Sequence, residues 1–304
     1  MKVAAIQAAP VFLDSQSTTD KVLGLMREAA SNGAELCAFP ETFLSGYCVW
    51  PMSGGFNNDK QKAAYAAYVD ASVRADGPEL AAVEAEARSL GIFVYLGFIE
   101  RATSTTSVYC SLAAIDPERG RVSVHRKLRP TYEERLVWSA GDGHGLEVHD
   151  YKGFRVGGLN CWENWMPLAR YSLYGQGEQV HVGTWPGAPR LTRNITRFIA
   201  MEGRVYSIAV GGVIRAADIP EAFPMKEELL ERGDVYMTGG SMIVGPDGEV
   251  IEGSPTRGEE AILYADLDLN VVRQERENFD PAGHYARPDV FNLTINRERQ
   301  EPIN

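Results

Sequence analysis

Three side chains in this sequence have the types and settings to do covalent chemistry together. Glu41 follows a short apolar run at 36–39 through Pro40, Lys127 closes the run 121–126, and Cys161 follows the run 154–160. Strands of α/β proteins deliver reactive groups at their carboxyl ends, in the crevice beyond the sheet. A thiol supplies a nucleophile, a carboxylate takes and returns protons, and an ammonium stabilises charge that develops in a transition state. That set suits attack on an electrophilic carbon bonded to nitrogen. Positions 41, 127 and 161 are too far apart to meet locally, so only the fold can assemble them.

Cys161 is the most informative of the four cysteines. It stands between a strand and a helix expected from Pro167, with Gly157 and Gly158 just before it allowing close approach of neighbouring backbone. A helix start favours thiolate, so Cys161 is expected to ionise readily. Cys37 and Cys110 lie inside strands and Cys48 in an aromatic loop, where an inert buried thiol is the ordinary role. No CxxC pair or Cys/His cluster with zinc spacing occurs, so neither a disulfide framework nor a structural metal is expected.

The elements that would position these groups alternate strand with helix. Residues 2–7 alternate at period two. Helical periodicity follows over 18–32, with Thr18 or Thr19 as cap and Gly33 as stop. A second helix is expected at 78–90, and an almost unbroken apolar run at 92–99 suits a strand covered on both faces. Two hairpins follow, 108–115 with 121–127 and 146–151 with 154–160. The later half repeats this alternation, with helix 167–176, strand 180–183, helix 191–204 and strand 206–214. Strands at 241–244 and 249–251 flank the turn Pro246-Asp247-Gly248, and a last strand spans 261–267. No linker or repeat divides the chain. The expectation is one α/β domain over 1–282, a mixed sheet or two packed sheets flanked by helices. A polar tail at 283–304 would lie on the surface or at an interface.

Composition narrows the partners. With 30 Lys plus Arg against 41 Asp plus Glu, the 304-residue chain carries a net charge of −11. That disfavours nucleic acid and anionic membranes. The longest apolar runs, 92–99 and 205–214, are far short of the roughly 18 residues a membrane span needs. The start of the chain reads as a strand rather than a leader. A cytoplasmic setting with free thiols is expected.

Three segments carry a family resemblance: Phe39-Pro40-Glu41-Thr42-Phe43, Arg126-Lys127-Leu128-Arg129-Pro130-Thr131, and Leu159-Asn160-Cys161-Trp162-Glu163-Asn164. In this order and spacing, over about residues 1–290, the chain resembles the nitrilase, or carbon–nitrogen hydrolase, superfamily. Cys161-Trp162-Glu163 resembles the true nitrilase branch, as do the segments 130–135, 177–187 and 283–289. The resemblance implies a four-layer αββα sandwich paired across a homodimer or larger homo-oligomer. It implies nitrile hydrolysis with water through a thioimidate and a thioester on Cys161, with no metal or organic cofactor. Glu41 would be the base, and Lys127 with the Trp162 backbone N–H would hold the anion. Glu134 matches the family's second glutamate, which would orient Lys127.

Three rival readings remain at this level. An amidase or carbamoylase of the same superfamily shares the Glu-Lys-Cys set. A papain-like enzyme would pair Cys161 with His181 or His125, yet no such signature surrounds them, and His181 and His284 read as hydrogen-bonded structural histidines. A catalytically silent scaffold is disfavoured because all three reactive residues are present. Among Tyr47, Trp50, Trp138, Trp165 and Trp185, the residues after strand ends, Tyr47 and Trp185, are the expected substrate-pocket walls.

Overall fold

The computed structural model describes residues 1–51, 53 and 58–301. Its first half comprises β1 (Lys2–Gln7), α1 (Ser15–Ser31), β2 (Leu36–Ala38), α2 (Asp59–Ala71), α3 (Pro78–Leu90), β3 (Phe93–Arg101), β4 (Val108–Asp116) and β5 (Gly120–Arg126). The second comprises β6 (His149–Tyr151), β7 (Phe154–Asn160), α4 (Pro167–Tyr174), β8 (Val180–Trp185), α5 (Pro189–Gly203), β9 (Tyr206–Gly211), β10 (Val213–Arg215), α6 (Lys226–Leu230), β11 (Val235–Thr238), β12 (Met242–Val244), β13 (Val250–Gly253), β14 (Ala261–Asp266) and α7 (Leu269–Glu275).

The strands form two six-stranded sheets, β14-β1-β2-β3-β4-β5 and β13-β12-β9-β8-β7-β6, plus the β10-β11 pair. Each large sheet has three parallel strands at its centre, β1-β2-β3 and β7-β8-β9, with antiparallel strands outside. Strand alternation builds the layers. Val3, Ala5, Phe93 and Tyr95 face Val156, Val180, Val182 and Ile208 of the other sheet, forming the inter-sheet core. Their neighbours Ala4, Ile6, Val94 and Leu96 face outward onto Val22, Met26, Leu80 and Val83 of α1 and α3. Both faces of β3 are thus covered, the reason its sequence is continuously apolar. On the second sheet α5 packs against Ala209 and Trp185. The order of layers is helix, sheet, sheet, helix.

The sheets meet closely because of glycine. A Cβ on Gly158 would stand 3.0 Å from the Val182 carbonyl oxygen and near Leu112 and Tyr95 of the opposite sheet, whereas one on Gly157 would strike the Glu178 side chain. Gly157-Gly158 therefore makes room mostly for side chains.

The elements depart from the sequence reading in a few places. Asp14 caps α1, accepting from the Ser17 N–H, while Thr18 and Thr19 lie buried inside the helix and bond to the Val11 and Ser15 carbonyls. The 206–214 run breaks into β9 and β10 at Gly212, whose N–H turns to the Trp185 carbonyl. The helices α2, α6 and α7 and strand β11 carry no clear periodic signal. Among its described residues the tail has no regular element, but Arg299 donates to Asp142 and to the Val124 carbonyl, holding residues 295–301 against β5 and the segment after it. Residues 302–304 of the expected tail lie outside the described residues.

Candidate active site

The fold brings Glu41, Lys127, Glu134 and Cys161 to one point. Glu41 sits in the loop leaving β2, held close against β3, where a Cβ on Gly97 would clash with the Pro40 carbonyl and the Glu41 backbone. Lys127 directly follows β5, its N–H bonded to the Cys110 carbonyl. Glu134 lies in a 3-10 turn, Tyr132–Leu136, closed by a capping box with Thr131. Cys161 opens another 3-10 turn, Cys161–Trp165, directly after β7.

The central contact is one ammonium between two carboxylates. Lys127 Nζ donates to Glu41 Oε1 at 2.8 Å and to Glu134 Oε2 at 2.7 Å, all three side chains being buried. The Cys161 sulfur and one oxygen from each of Glu41 and Glu134 lie within 4.8 Å of one another. Such a donor set resembles a metal cluster, but the Lys127 ammonium already bridges its two carboxylates. Lys127 also lies over the Trp138 ring, 5.3 Å from its centroid.

Electrostatics assign different states to these groups. Burial raises the Glu41 carboxyl to about 7, reinforced by the Glu134 charge and opposed by Lys127. Burial works against the Lys127 charge, yet Cys161, Glu41 and Glu134 together hold its pKa well above the ordinary value. Burial, then the Glu41 charge, pushes the Cys161 thiol well above its usual range, against the pull of Lys127 and the Trp162 backbone N–H. This overturns the expectation of a ready thiolate. The segment after Cys161 is a single 3-10 turn rather than the start of a long helix, so burial wins. A neutral thiol needs a base.

Glu41 is held through one of its two carboxylate oxygens. Its Oε1 accepts from Lys127 and, at 3.3 Å, from the Cys110 thiol, while Oε2 is buried with no partner among the described residues. Cys110, expected to be inert, therefore touches the carboxylate. Because its hydrogen bond lowers the Glu41 pKa, Cys110→Ala should move the acidic limb of kcat/KM to higher pH. The activity loss relative to the native protein should then be larger at pH 6 than at pH 9. An acid limb that stays fixed or moves down would contradict this contact.

The other expected site residues take varied places. Tyr47 donates its hydroxyl to Glu134 Oε1 at 2.8 Å and stacks edge-on against Trp138. It also lines a cavity of about 10 Å³ beside Glu41 with Pro40, Pro186 and Ile214. Trp185 is buried in a cluster with Cys161, Ile195 and Ile199, its Nε1 without a partner among the described residues. Trp50 packs on Tyr68 and Phe223, and Trp165 faces outward beside Trp162, away from the buried carboxylates. A larger cavity of about 310 Å³ touches Trp50, Leu136 and Val137, but none of Glu41, Lys127 and Cys161 lines it.

Neither histidine pairs with the thiol. His125 Nε2 bonds Glu163, and His181 bridges Glu178 and Asn164. Glu163 ties the two halves of the site together. Its carboxylate accepts from the backbone N–H groups of Asn160, before Cys161, and of Leu128, after Lys127. Burial opposes its charge, but His125 and these N–H groups hold its pKa below the ordinary carboxylate range. Asn160 and Glu163 close a capping box on the Cys161 turn, and the contact of Glu163 with the lysine segment is purely tertiary.

With two stacked sheets, flanking helices and this carboxylate–ammonium–thiol set in place, the chain belongs to the carbon–nitrogen hydrolase family, whose model matches residues 2–277. It is 36% identical to an aliphatic nitrilase of Rhodococcus rhodochrous over 322 aligned positions, covering 100% of this chain and 84% of the relative. It is 38% identical to a protein described as nitrilase 2, from an unknown prokaryotic organism, covering 98% and 93%. Among solved structures, a Saccharomyces cerevisiae member of branch 10 of the nitrilase superfamily superposes with a TM-score of 0.73 at 16% identity, covering 94% and 96%. That last likeness speaks to the fold.

Proposed function

We propose that this protein is a nitrilase, an enzyme that hydrolyses an organic nitrile with two waters to a carboxylic acid and ammonia. The observation that carries the reading is the buried Cys161 thiol beside a carboxyl raised to about 7 and a bridging ammonium. Full-length similarity to proteins described as nitrilases selects nitriles over amides.

In this reading Cys161 attacks the nitrile carbon while Glu41 takes the thiol proton and passes it to the developing nitrogen anion. The product of that step is a covalent thioimidate. Water adds to it, ammonia leaves, and a second water hydrolyses the thioester to the acid, freeing the thiol. Lys127 and the Trp162 backbone N–H stabilise the negative charge at each addition, and Glu134 holds Lys127 in place. Trp185 and Tyr47 wall the substrate space. No step calls on a metal or organic cofactor.

The test is ammonia release from a panel of aliphatic, aromatic and arylacetonitrile substrates and the matching amides, with Cys161→Ala as control. Nitriles should be consumed by the native protein and not by the variant. Turnover of amides alone would transfer the protein to the amidase branch, and turnover of neither would leave a silent scaffold.

The domain is read as residues 1–282, with 283–304 as an appended tail. A homodimer or larger homo-oligomer is supported by an exposed apolar face comprising Trp162, Trp165, Leu168, Phe198 and Met201 from the Cys161 turn, α4 and α5. Monomeric proteins seldom leave such a patch open. The particle should therefore sediment at a multiple of 33.4 kDa, and a monomer would refute this. Four unpaired cysteines support a reducing, cytoplasmic setting.

A further inference from the structure

Cys161 has φ of +49°, in the left-handed region that costs a residue with a Cβ. Such a conformation persists only where its surroundings enforce it. Asn164 supplies that enforcement. Its Nδ2 donates to the Cys161 carbonyl at 2.8 Å and to the Leu159 carbonyl at 3.3 Å, which fixes which end of its amide is the donor.

The Asn164 amide is itself held from behind. Its Oδ1 faces His181 Nε2 at 2.7 Å, and His181 Nδ1 faces Glu178 Oε1 at 3.0 Å. All three side chains are buried. Because Asn164 Oδ1 can only accept, His181 Nε2 is the donor in that contact, which leaves Nδ1 facing the Glu178 carboxyl. Gly183 leaves the room, since a Cβ there would stand 3.2 Å from Asn164 Oδ1. Gly157 does the same for Glu178, whose Oε1 would be 2.3 Å from an added Cβ.

The geometry points to a function for this Glu178–His181–Asn164 strut: it sets the plane of the Cys161–Trp162 peptide and so aims the Trp162 N–H at the anion formed on the substrate. In a trans peptide the C=O and the next N–H point in opposite directions. Pinning the Cys161 carbonyl to Asn164 on one side therefore turns the Trp162 N–H to the other, away from Asn164. Glu178, His181 and Asn164 are positioning residues that touch no reacting atom. The inference rests on the thiol-hydrolase reading above and deepens it.

One prediction separates this role from general support of the fold. Alkylation of a thiol by iodoacetamide expels iodide and forms no anion on an oxygen or nitrogen bonded to the attacked carbon, whereas acylation places one on the carbonyl oxygen and nitrile addition on the nitrile nitrogen. His181→Leu and Asn164→Asp should lower kcat on a nitrile by about 100- to 1,000-fold, the range for losing one oxyanion donor, with KM within about threefold. The acylation burst with p-nitrophenyl acetate should fall in parallel. The rate of Cys161 alkylation, read by peptide mass spectrometry, should stay within about threefold of native. His181→Gln, whose amide can still donate to Asn164, should recover part of the loss.

Equal loss of alkylation and turnover would show a disordered nucleophile instead, and unchanged turnover in both variants would remove the strut's role. A native protein that shows the acyl burst but consumes no nitrile would overturn the nitrilase reading, while the strut would still be judged on the burst.

Discussion

Replacing Lys127 by methionine should cost about 3–5 kcal/mol of stability and reduce nitrile turnover at least about 1,000-fold. The variant keeps a side chain of similar length against Trp138 but leaves Glu41 and Glu134 buried without their shared cation. A buried carboxylate stripped of its partner retains the desolvation cost and loses the compensating attraction. The carboxyls can respond by binding protons, so the stability loss should be greatest above neutral pH.

Pairing the change with Glu134→Gln separates the two consequences. Lys127→Met/Glu134→Gln removes one of the stranded charges and should regain part of the unfolding free energy. It should regain no activity, because the cation facing the reaction is still missing. Urea unfolding followed by tryptophan fluorescence reads the first quantity and ammonia release the second. A single variant as stable and active as the native chain would mean that Lys127 is not the centre of the site.

How much of this was legible in the sequence follows from what each residue depends on. Glu41, Lys127 and Cys161 follow strands, so period and punctuation placed them while the family resemblance singled them out as a set, and β1, β7 and α3 fall where their patterns place them. Cys110 did not stand out, because its contact with Glu41 joins the interior of β4 to a loop sixty-nine positions earlier. The Asn164–His181 contact had a fainter signal. Val180 and Val182 of β8 face the inter-sheet core, so alternation puts His181, Gly183 and Trp185 on the other face, behind the Cys161 turn. Recognising that face required knowing that β7 and β8 are neighbours. The helix-start argument for a thiolate failed for a related reason: burial depth is a property of the assembled sandwich, and it outweighs a local dipole.

Glu41→Gln gives the sharpest test of how the thiol is activated. The substitution keeps the shape and the contact with Lys127 while removing the base. General-base assistance contributes about 100- to 10,000-fold, and here the upper part of that range is expected because Cys161 rests as a neutral, desolvated thiol. The native rate should rise with pH through about 7 as Glu41 loses its proton, and the residual activity of the variant should lack that limb. Alkylation of Cys161 discriminates further. The Glu41 charge is one of the influences that raise the thiol pKa, so a resting thiolate would react no slower, or faster, once that charge is gone. A thiol that depends on Glu41 to accept its proton should instead be alkylated at least about tenfold more slowly near neutral pH. Faster alkylation in Glu41→Gln would return Cys161 to the thiolate state and assign Glu41 to nitrogen protonation alone.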